Sequence, residues 1–319
     1  MPNRFRWWLP TRTDPTPTRR NVKEPRNEMY PSRFNYEAPD SVEEAIEMLQ
    51  RGKGEAKVLA GGQSLLPMMK LRFATPATLI DINNIPDLGY HRADPDGSYH
   101  IGALCRHSQL EKAHDLAAHQ PTIAAAAHLV ADPIVRNRGT FVGSVCHGDP
   151  QGDWASVMIA LAGSIVAQGP GGRRTIPVAD FVTGPFQTVL AADELAIEAI
   201  VPPPVGVRAG GYLKLERRVG DFATAGVAVS IEFDGHTVAR AGIGLTGVGS
   251  STINASEASE SLIGGNLSLE DIARAADLAA AVSRPRTDHR GSESYKRHIV
   301  ATFVSRILTN LQLSTQEVA

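Results

Sequence analysis

The sequence predicts an α+β protein, and three observations support this fold class. Short apolar runs typical of strands alternate with amphipathic helical patterns through the first two thirds of the chain. A β-hairpin pattern then follows, and two helical patterns close the chain. At 319 residues the chain is long enough to bury a sizeable core and to hold two or three compact units.

Composition and charge exclude several classes of protein. The 32 basic and 34 acidic side chains nearly balance, which argues against a nucleic-acid or anionic-membrane surface. The apolar runs are too short to cross a bilayer, so we expect a soluble protein. Two cysteines, Cys105 and Cys146, are too few for a disulfide framework or an internal four-cysteine iron–sulfur cluster. They fit a reducing compartment, and we predict a cytoplasmic location.

Residues 1–28 differ from the rest of the chain in composition. They are basic, interrupted by prolines, and contain Trp7 and Trp8, but they lack the apolar segment of a secretory signal. Because such a composition cannot support a core, we expect either a disordered extension or a mis-annotated start that precedes Met29. A docking arm anchored by the two tryptophans is the alternative.

The first predicted unit, about residues 29–85, has a β-α-β-β pattern. Ser41 and Glu44 have capping-box spacing, and apolar residues follow at helical intervals up to Gly52. One strand is predicted over 56–59, where it runs into a segment of small residues, and another over 78–82.

The second predicted unit, about residues 86–204, mixes short strands with alanine-rich helices. Strands are predicted over 99–103, 164–167 and 197–201, and helices over 108–118, 122–130 and 153–162. Three glycines and a proline at 169–172 predict a turn after the second of these strands. Consecutive prolines at 202–204 mark the predicted boundary of the unit.

The third predicted unit, about residues 205–315, begins beyond these prolines. Apolar runs at 227–233 and 238–244 flank an Asp-Gly turn, which predicts a hairpin. Helices are predicted over 268–283 and 295–311, and the second has one apolar face. That face comprises Tyr295, Ile299, Phe303 and Ile307.

Two segments of small residues are the strongest functional signal in the chain. Their glycines let backbone N–H groups approach a ligand closely. Successive free N–H groups bind anions, and two such segments about eighty residues apart suit one elongated diphosphate, as in a dinucleotide cofactor. Neither segment has Rossmann or Walker spacing, and ordinary tight turns are the alternative. The segments comprise Ala60, Gly61, Gly62, Gln63 and Ser64, and Thr140, Phe141, Val142, Gly143 and Ser144.

The residues that end and follow the first segment support a nucleotide ligand. Ser64 is placed to cap the next stretch of chain and to donate its hydroxyl to a phosphate oxygen. Residues 65–69, beginning with Leu65, are apolar, as expected where a planar ring adjoins its diphosphate.

Polar residues after the second segment allow several interpretations. His147, Asp149 and Asp153 are metal-ligand types, but no H-x-x-x-H pair or further ligand cluster accompanies them. Asp153 is also placed to begin a helix, where its carboxylate can accept a hydrogen bond from a sugar hydroxyl. Cys146 as a nucleophile would need a lowered thiol pKa and a base, and His147 is adjacent to it only along the chain.

The segment 212–218 alternates apolar and polar residues as a half-buried strand does. An exposed basic strand face is the simpler interpretation. The functional interpretation puts Lys214 near an electron-rich part of a bound ring and Tyr212 on the ring face. We predict no catalytic residue, because no Ser-His-Asp arrangement, H-E-x-x-H motif or nucleophile elbow occurs in the sequence.

Segments in a characteristic order carry a resemblance to a known family. They are 60–72, 131–140, 147–150 with Asp153, 214–215, 220–226, and Asp288 with 290–292 and 295–296. In these segments the chain resembles the FAD-binding medium subunits of molybdenum hydroxylases, which include the flavoproteins of aerobic carbon monoxide dehydrogenase and xanthine dehydrogenase. It departs from the family at Val142, where glycine is usual, and at Gln63, where near relatives have histidine. Residues 1–28 have no family counterpart.

The resemblance implies a fold and a cofactor site. It implies a two-subdomain FAD-binding fold of the vanillyl-alcohol-oxidase/p-cresol-methylhydroxylase type over 29–204, with subdomains of about 29–85 and 86–204. A C-terminal domain with a three-stranded antiparallel sheet and helices is implied over 205–315. FAD is the implied cofactor, with Asp153 on its ribityl or isoalloxazine side, Lys214 near the ring and Tyr212 over one ring face. The implied binding set is Ala60, Gly61, Gly62, Gln63, Ser64, Leu65, Thr140, Phe141, Val142, Gly143, Ser144, Asp153, Ile197, Tyr212 and Lys214.

The resemblance also implies a role and partners. Subunits of this kind pass electrons from the iron–sulfur clusters of a small subunit to an external acceptor, while a large molybdenum-cofactor subunit oxidises the substrate. The presence of only two cysteines agrees with the flavoprotein role. A free-standing FAD-dependent oxidoreductase and a non-catalytic nucleotide-binding protein are the alternative functions.

Overall fold

The computed structural model describes residues 30–317, with side chains described through residue 313. The predicted N-terminal extension, residues 1–28, lies outside the described residues. Within the described range, no helix is both long enough and apolar enough to cross a membrane.

The first unit is a small parallel sheet with helices. Its elements are β1 (Asn35–Glu37), α1 (Val42–Gly52), β2 (Ala56–Leu59), α2 (Leu65–Lys70) and β3 (Thr78–Asp81), with strands in the order β1-β3-β2. The predicted capping box is confirmed, since Ser41 Oγ accepts a hydrogen bond from Glu44 N at 3.1 Å. Helix α1 ends at Gly52 as predicted, but the left-handed residue that follows is Lys53, with a φ of 46°. Helix α2 was not predicted from the sequence.

The second unit is a five-stranded antiparallel sheet with short helices. Its strands are β4 (His91–Ala93), β5 (Tyr99–Gly102), β6 (Ser164–Gly169), β7 (Gly172–Pro177), β8 (Val182–Gly184), β9 (Gln187–Thr188) and β10 (Leu195–Val201). The sheet order is β4-β5-β10-β6-β7, and β8 and β9 form a separate ribbon. Its helices are α3 (His107–Lys112), α4 (Leu116–His119), α5 (Pro121–Ala127), α6 (Pro133–Arg136), α7 (Phe141–His147), α8 (Asp153–Ala160) and α9 (Val178–Phe181).

The single helix predicted over 108–118 is wrong, because α3 and α4 are separate. Leu110 and Leu116 are both buried. Six residues apart, they would lie on different faces of one continuous helix. The break between the two helices lets both side chains reach the same core.

The third unit is an antiparallel sheet covered by helices. Its elements are β11 (Val207–Leu215), β12 (Ala225–Asp234), β13 (Thr237–Thr246), β14 (Ile253–Asn254), α10 (Ser256–Glu260), α11 (Leu269–Val282) and α12 (Glu293–Glu317). The predicted hairpin is confirmed as β12 and β13. The sheet has four strands rather than the implied three, because the two-residue β14 pairs with Gly244 and Leu245 of β13.

The predicted apolar face of α12 is confirmed at three of its four positions. Phe303 and Ile307 are buried in the core of the third unit and Ile299 packs against it, whereas Tyr295 is 45% exposed. The buried face is also wider than predicted, since Val300, Val304 and Leu308 are fully buried in the same core. Because these residues are spaced by four, they form the neighbouring row on the helix surface.

Helix α8 of the second unit lies directly on β13 of the third. A Cβ at Gly242 would come within 2.0 Å of Ala160 O, and one at Gly244 within 2.0 Å of Ser156 O. The helix backbone therefore rests on the strand with no side chain between them. This contact sets the position of Asp153, the first residue of α8, relative to the third unit.

Candidate cofactor-binding site

A cavity of about 500 Å³ is lined by residues from all three units. This volume is in the range of small-molecule sites. Its walls include β2 and the loop after it, α7 and the loop before it, the start of α8, the start of β10, the segment before α6, and the loop between β11 and β12. The cavity therefore brings together both small-residue segments.

The first small-residue segment forms a loop at the end of β2. Gly62 has a φ of 73°, a left-handed conformation that favours glycine. Asn83 Nδ2 donates a hydrogen bond to Ala60 O at 2.8 Å, which anchors the start of the loop. Ser64 precedes α2, but the predicted side-chain capping bond is not formed. Ser64 is instead one of the residues that line the cavity.

The second small-residue segment is held by the chain just before α3. His107 N donates to Gly139 O at 3.1 Å, and Phe141 N donates to Cys105 O at 3.0 Å. Thr140 precedes α7, and its Oγ1 is buried without a hydrogen-bond partner. Because an unpaired buried hydroxyl is costly, this atom is suited to bonding a ligand in the cavity.

The two loops touch each other at Gly61. A Cβ on Gly61 would lie 2.5 Å from Arg138 O and 2.8 Å from Gly139 Cα. Real side chains do not approach backbone atoms so closely, so this contact requires glycine. The two loops therefore form one continuous part of the wall.

Asp153 belongs to a buried ionic cluster at the start of α8. Tyr212 OH donates to Asp153 Oδ1 at 2.5 Å, and Lys214 Nζ lies 3.3 Å from Asp153 Oδ2. The same Nζ lies 3.3 Å from Glu216 Oε2 and donates to Leu129 O at 2.5 Å. The Lys214 side chain is fully buried, so one enclosed cation serves two carboxylates.

Burial is the largest cause of the pKa shifts of the ionisable groups around the cavity. It raises the pKa of Asp153, and the charge of Lys214 opposes this shift. It also raises the pKa of Tyr212 well above the ordinary value, with a further contribution from the Asp153 charge. His107 lies on the wall, and burial lowers its pKa to about 4. Because His107 Nδ1 accepts a hydrogen bond from Trp154 Nε1 at 3.0 Å, the neutral ring carries its proton on Nε2.

The structure places most of the predicted binding residues on the cavity wall. These are Ala60, Gly61, Gly62, Gln63, Ser64, Leu65, Thr140, Val142, Gly143, Ser144 and Asp153. Val142 is 2% exposed and packs into the core of the second unit, so its side chain leaves most of the cavity open.

The other predicted residues lie behind the wall. Phe141 packs on Trp154 with ring centroids 4.5 Å apart, and Ile197 is buried in the core beneath the first unit. Tyr212 is buried with its hydroxyl on Asp153. The expectation that Tyr212 covers a ring face is therefore wrong in this geometry. Tyr212 is connected to the cavity wall through Asp153, and Lys214 through Asp153 and through Asp221 O, to which its Nζ donates at 3.2 Å.

Several parts of the wall were missed from the sequence, and residues 220–222 and His107 are two of them. Residues 220–222, in the loop between β11 and β12, bring the third unit into the cavity wall. A local signal existed, because the alternation of segment 212–218 gives way to a Gly-Asp pair at Gly220. His107 had no such signal, since its partner Trp154 is 47 residues away along the chain.

The geometry does not support the metal or nucleophile interpretations. Among the residues that the structure describes, no group of three His, Cys, Asp or Glu side chains is placed to hold a metal ion. Asp153 pairs with Lys214 instead. Burial raises the pKa of Cys146 to about 12, which is opposite to the activation that a nucleophilic cysteine needs.

Two known domain families match the chain. The FAD-binding domain of molybdopterin dehydrogenases matches residues 32–204, and the C-terminal domain of the carbon monoxide dehydrogenase flavoprotein matches residues 211–311. The chain belongs to this flavoprotein family. It is an oxidoreductase component, and FAD is its cofactor.

Individual relatives match the flavoprotein along most of its length. The carbon monoxide dehydrogenase medium chain of Hydrogenophaga pseudoflava is 42% identical over 280 residues, which cover 88% of this chain and 97% of that protein. Subunit alpha of the 6-hydroxypseudooxynicotine dehydrogenase complex of Paenarthrobacter nicotinovorans is 36% identical over 281 residues, covering 88% and 95%. A solved structure of the Hydrogenophaga pseudoflava carbon monoxide dehydrogenase, lacking the Mo-pyranopterin moiety, matches with a TM-score of 0.85. That match has 42% identity and covers 90% of this chain and 99% of the other.

The cavity itself fits FAD. Gly61 and Gly62 leave the backbone accessible on its wall, and the unpaired Thr140 Oγ1 offers a hydroxyl. Phe141 N is already bonded to Cys105 O, but the next two N–H groups of α7, Val142 N and Gly143 N, have no acceptor within the helix and so suit an anionic group. Asp153 provides a carboxylate that can accept a hydrogen bond from a cofactor hydroxyl.

Proposed function

We propose that this flavoprotein is the electron-transfer subunit of a heterotrimeric molybdenum hydroxylase. It takes electrons from the iron–sulfur clusters of a small partner subunit and passes them to an external acceptor. A large molybdenum-cofactor subunit oxidises the substrate, and the assembly works in the cytoplasm. In this arrangement no residue of this chain takes part in substrate oxidation.

The variety of substrates among the relatives carries this proposal. Relatives named for carbon monoxide and for 6-hydroxypseudooxynicotine are 42% and 36% identical to this chain along nearly their whole length. These substrates share no chemistry that one pocket would recognise. A chain type common to both enzymes therefore serves a step that both need, which is electron transfer rather than substrate binding. The names "medium chain" and "subunit alpha" also describe parts of complexes.

Several groups on the cavity wall would hold the cofactor. Bound FAD supplies reversible uptake and release of electrons. The loop at 60–65 and the start of α7 would bind it through backbone N–H groups and through the hydroxyls of Ser64, Thr140 and Ser144. Asp153 would accept a hydrogen bond from a cofactor hydroxyl, with Tyr212 and Lys214 holding its carboxylate from behind.

We further propose that the chain divides at the prolines 202–204. Residues 29–204 form the FAD-binding domain, with subdomains of about 29–85 and 86–204, and residues 205–315 form the C-terminal domain. The separate buried core of the third unit supports this division. The two family matches, which stop at residue 204 and start at residue 211, support it as well.

The test is stopped-flow reduction of the flavin by substrate, with the complete complex and with the isolated chain. In the complex, substrate should bleach the flavin absorbance at the turnover rate. The isolated chain should be reduced by a chemical reductant but not by substrate, and a complex without the iron–sulfur subunit should behave like the isolated chain. Reduction of the isolated chain by an organic substrate at the turnover rate would contradict the proposal and indicate a free-standing oxidoreductase.

A further inference from the structure

The side chain of Arg106 contacts residues next to both small-residue loops of the cavity. It is the N-cap residue of α3 and is only partly exposed. Its Nη2 donates a hydrogen bond to Asn83 Oδ1, and its Nη1 donates to Arg138 O. Arg106 is not among the residues that line the cavity, so its contacts act on the wall rather than on a ligand.

The contact with Asn83 leads to the first loop. Asn83 Nδ2 donates to Ala60 O at 2.8 Å and to Asp81 Oδ1 at 2.5 Å, and Asn83 N donates to Asp81 Oδ1 at 3.0 Å. Asp81 thus keeps the amide oriented with its oxygen toward Arg106 and its nitrogen toward Ala60. The position of Ala60 is therefore linked to Arg106 through a single side chain.

The contact with Arg138 leads to the second loop. Arg138 O belongs to the peptide next to Gly139, and it is the atom that a Cβ on Gly61 would meet at 2.5 Å. The backbone beside Arg106 pairs with the same segment, since His107 N bonds Gly139 O. One guanidinium therefore spans the place where the two loops touch.

We propose that Arg106 is a positioning residue that sets the spacing of the two loops for FAD, with Asn83 as its link to the first loop. The inference rests on the proposed use of this cavity for FAD. A guanidinium presents several N–H donors in a rigid plane, so it can serve acceptors on two different segments at once. A lysine at this place keeps the positive charge but loses the two-armed geometry.

The test compares FAD dissociation constants of the full-length chain for the wild type, Arg106→Lys, Asn83→Ala and the double variant. Arg51→Lys is the matched control, because Arg51 pairs with Glu37 on an exposed surface of the first unit. Arg106→Lys and Asn83→Ala should each weaken FAD binding by about tenfold or more, and Arg51→Lys by less than about twofold. The double variant should lose less than the product of the single losses, because both changes act on the first loop through one contact.

Two further readouts separate positioning from folding and from charge. The thermal midpoints of the FAD-free variants should stay within about 3 °C of the wild type, well inside the shift expected for a substantial loss of stability. The visible circular dichroism of bound flavin should change in Arg106→Lys, because the loops then hold the cofactor differently. Wild-type FAD affinity in Arg106→Lys, multiplicative losses in the double variant, or an equal loss of stability without FAD would each overturn the proposal. If the wild type and Arg51→Lys fail to bind FAD, the proposed cofactor site itself is wrong.

Discussion

Replacing Gly61 by alanine tests whether contact between the loops builds the FAD site. The new Cβ would lie 2.5 Å from Arg138 O, 2.8 Å from Gly139 Cα and 3.0 Å from Thr140 N. An ordinary contact begins at 3.4 Å, so the Arg138 carbonyl must move by about 0.9 Å. All three neighbours are backbone atoms, which cannot swing aside as the end of a flexible side chain can.

The size of the effect follows from the cost of overpacking. Inserting a methyl group into a well-packed site costs about 1–3 kcal/mol. The free protein can relieve this cost by letting the loops separate, whereas the FAD-bound form needs them at their original spacing. The cost therefore falls on binding, and the FAD dissociation constant should rise by about 5- to 150-fold.

The assay is titration of FAD-free protein with FAD, followed by the quenching of flavin fluorescence. Gly89→Ala is the matched control, because a Cβ there meets no atom within 4 Å. Gly62→Ala separates backbone strain from contact with backbone, since Gly62 has a φ of 73° and the atoms nearest to its Cβ would belong to the side chains of Leu59 and Leu66. Equal FAD affinity in Gly61→Ala and Gly89→Ala would refute the reasoning.

Two further predictions concern the buried charges. Lys214→Met should lower the free energy of unfolding in urea by about 3–5 kcal/mol, because it leaves Asp153 and Glu216 without their buried cation. Adding Asp153→Asn should recover part of this loss, and an unchanged unfolding curve for Lys214→Met would contradict the role of the cluster. The folded pKa of His107, about 4, lies below its ordinary value of 6.5, so its contribution to stability is complete above pH 6.5 and is lost as the pH falls toward 4. Stability should decline by about 3 kcal/mol across that window, and His107→Gln should remove this part of the decline if the histidine causes it.

The loops could be predicted from the sequence because a demand for glycine is local. Gly61 and Gly62 follow a strand, and this order alone indicates a tight approach of the backbone. The structure adds a second reason at Gly62, where a side chain would contact Leu59 and Leu66. Local patterns therefore predicted where the loop lies along the chain, but not which atoms a side chain at each position would contact.

Contacts between distant segments could not be predicted in this way. Lys214 and Asp153 are 61 residues apart, and alternation along a strand shows only that Tyr212 and Lys214 share a face. Which element covers that face depends on how the third unit docks. The break between α3 and α4 has the same origin, because the location of the core decides which leucines are buried.

The close packing of α8 on β13 also limits which C-terminal domains can be exchanged between related flavoproteins. Four residues of a helix advance about 6 Å and two residues of a strand about 6.7 Å, so the two backbones keep step over this distance. Ser156 O therefore lies against Gly244 while Ala160 O lies against Gly242. The helix can pack on the strand in only this one register. Asp153 is carried at the end of that helix. A chimera that takes its C-terminal domain from a relative would keep this carboxylate in place only where the new strand has glycine at positions 242 and 244.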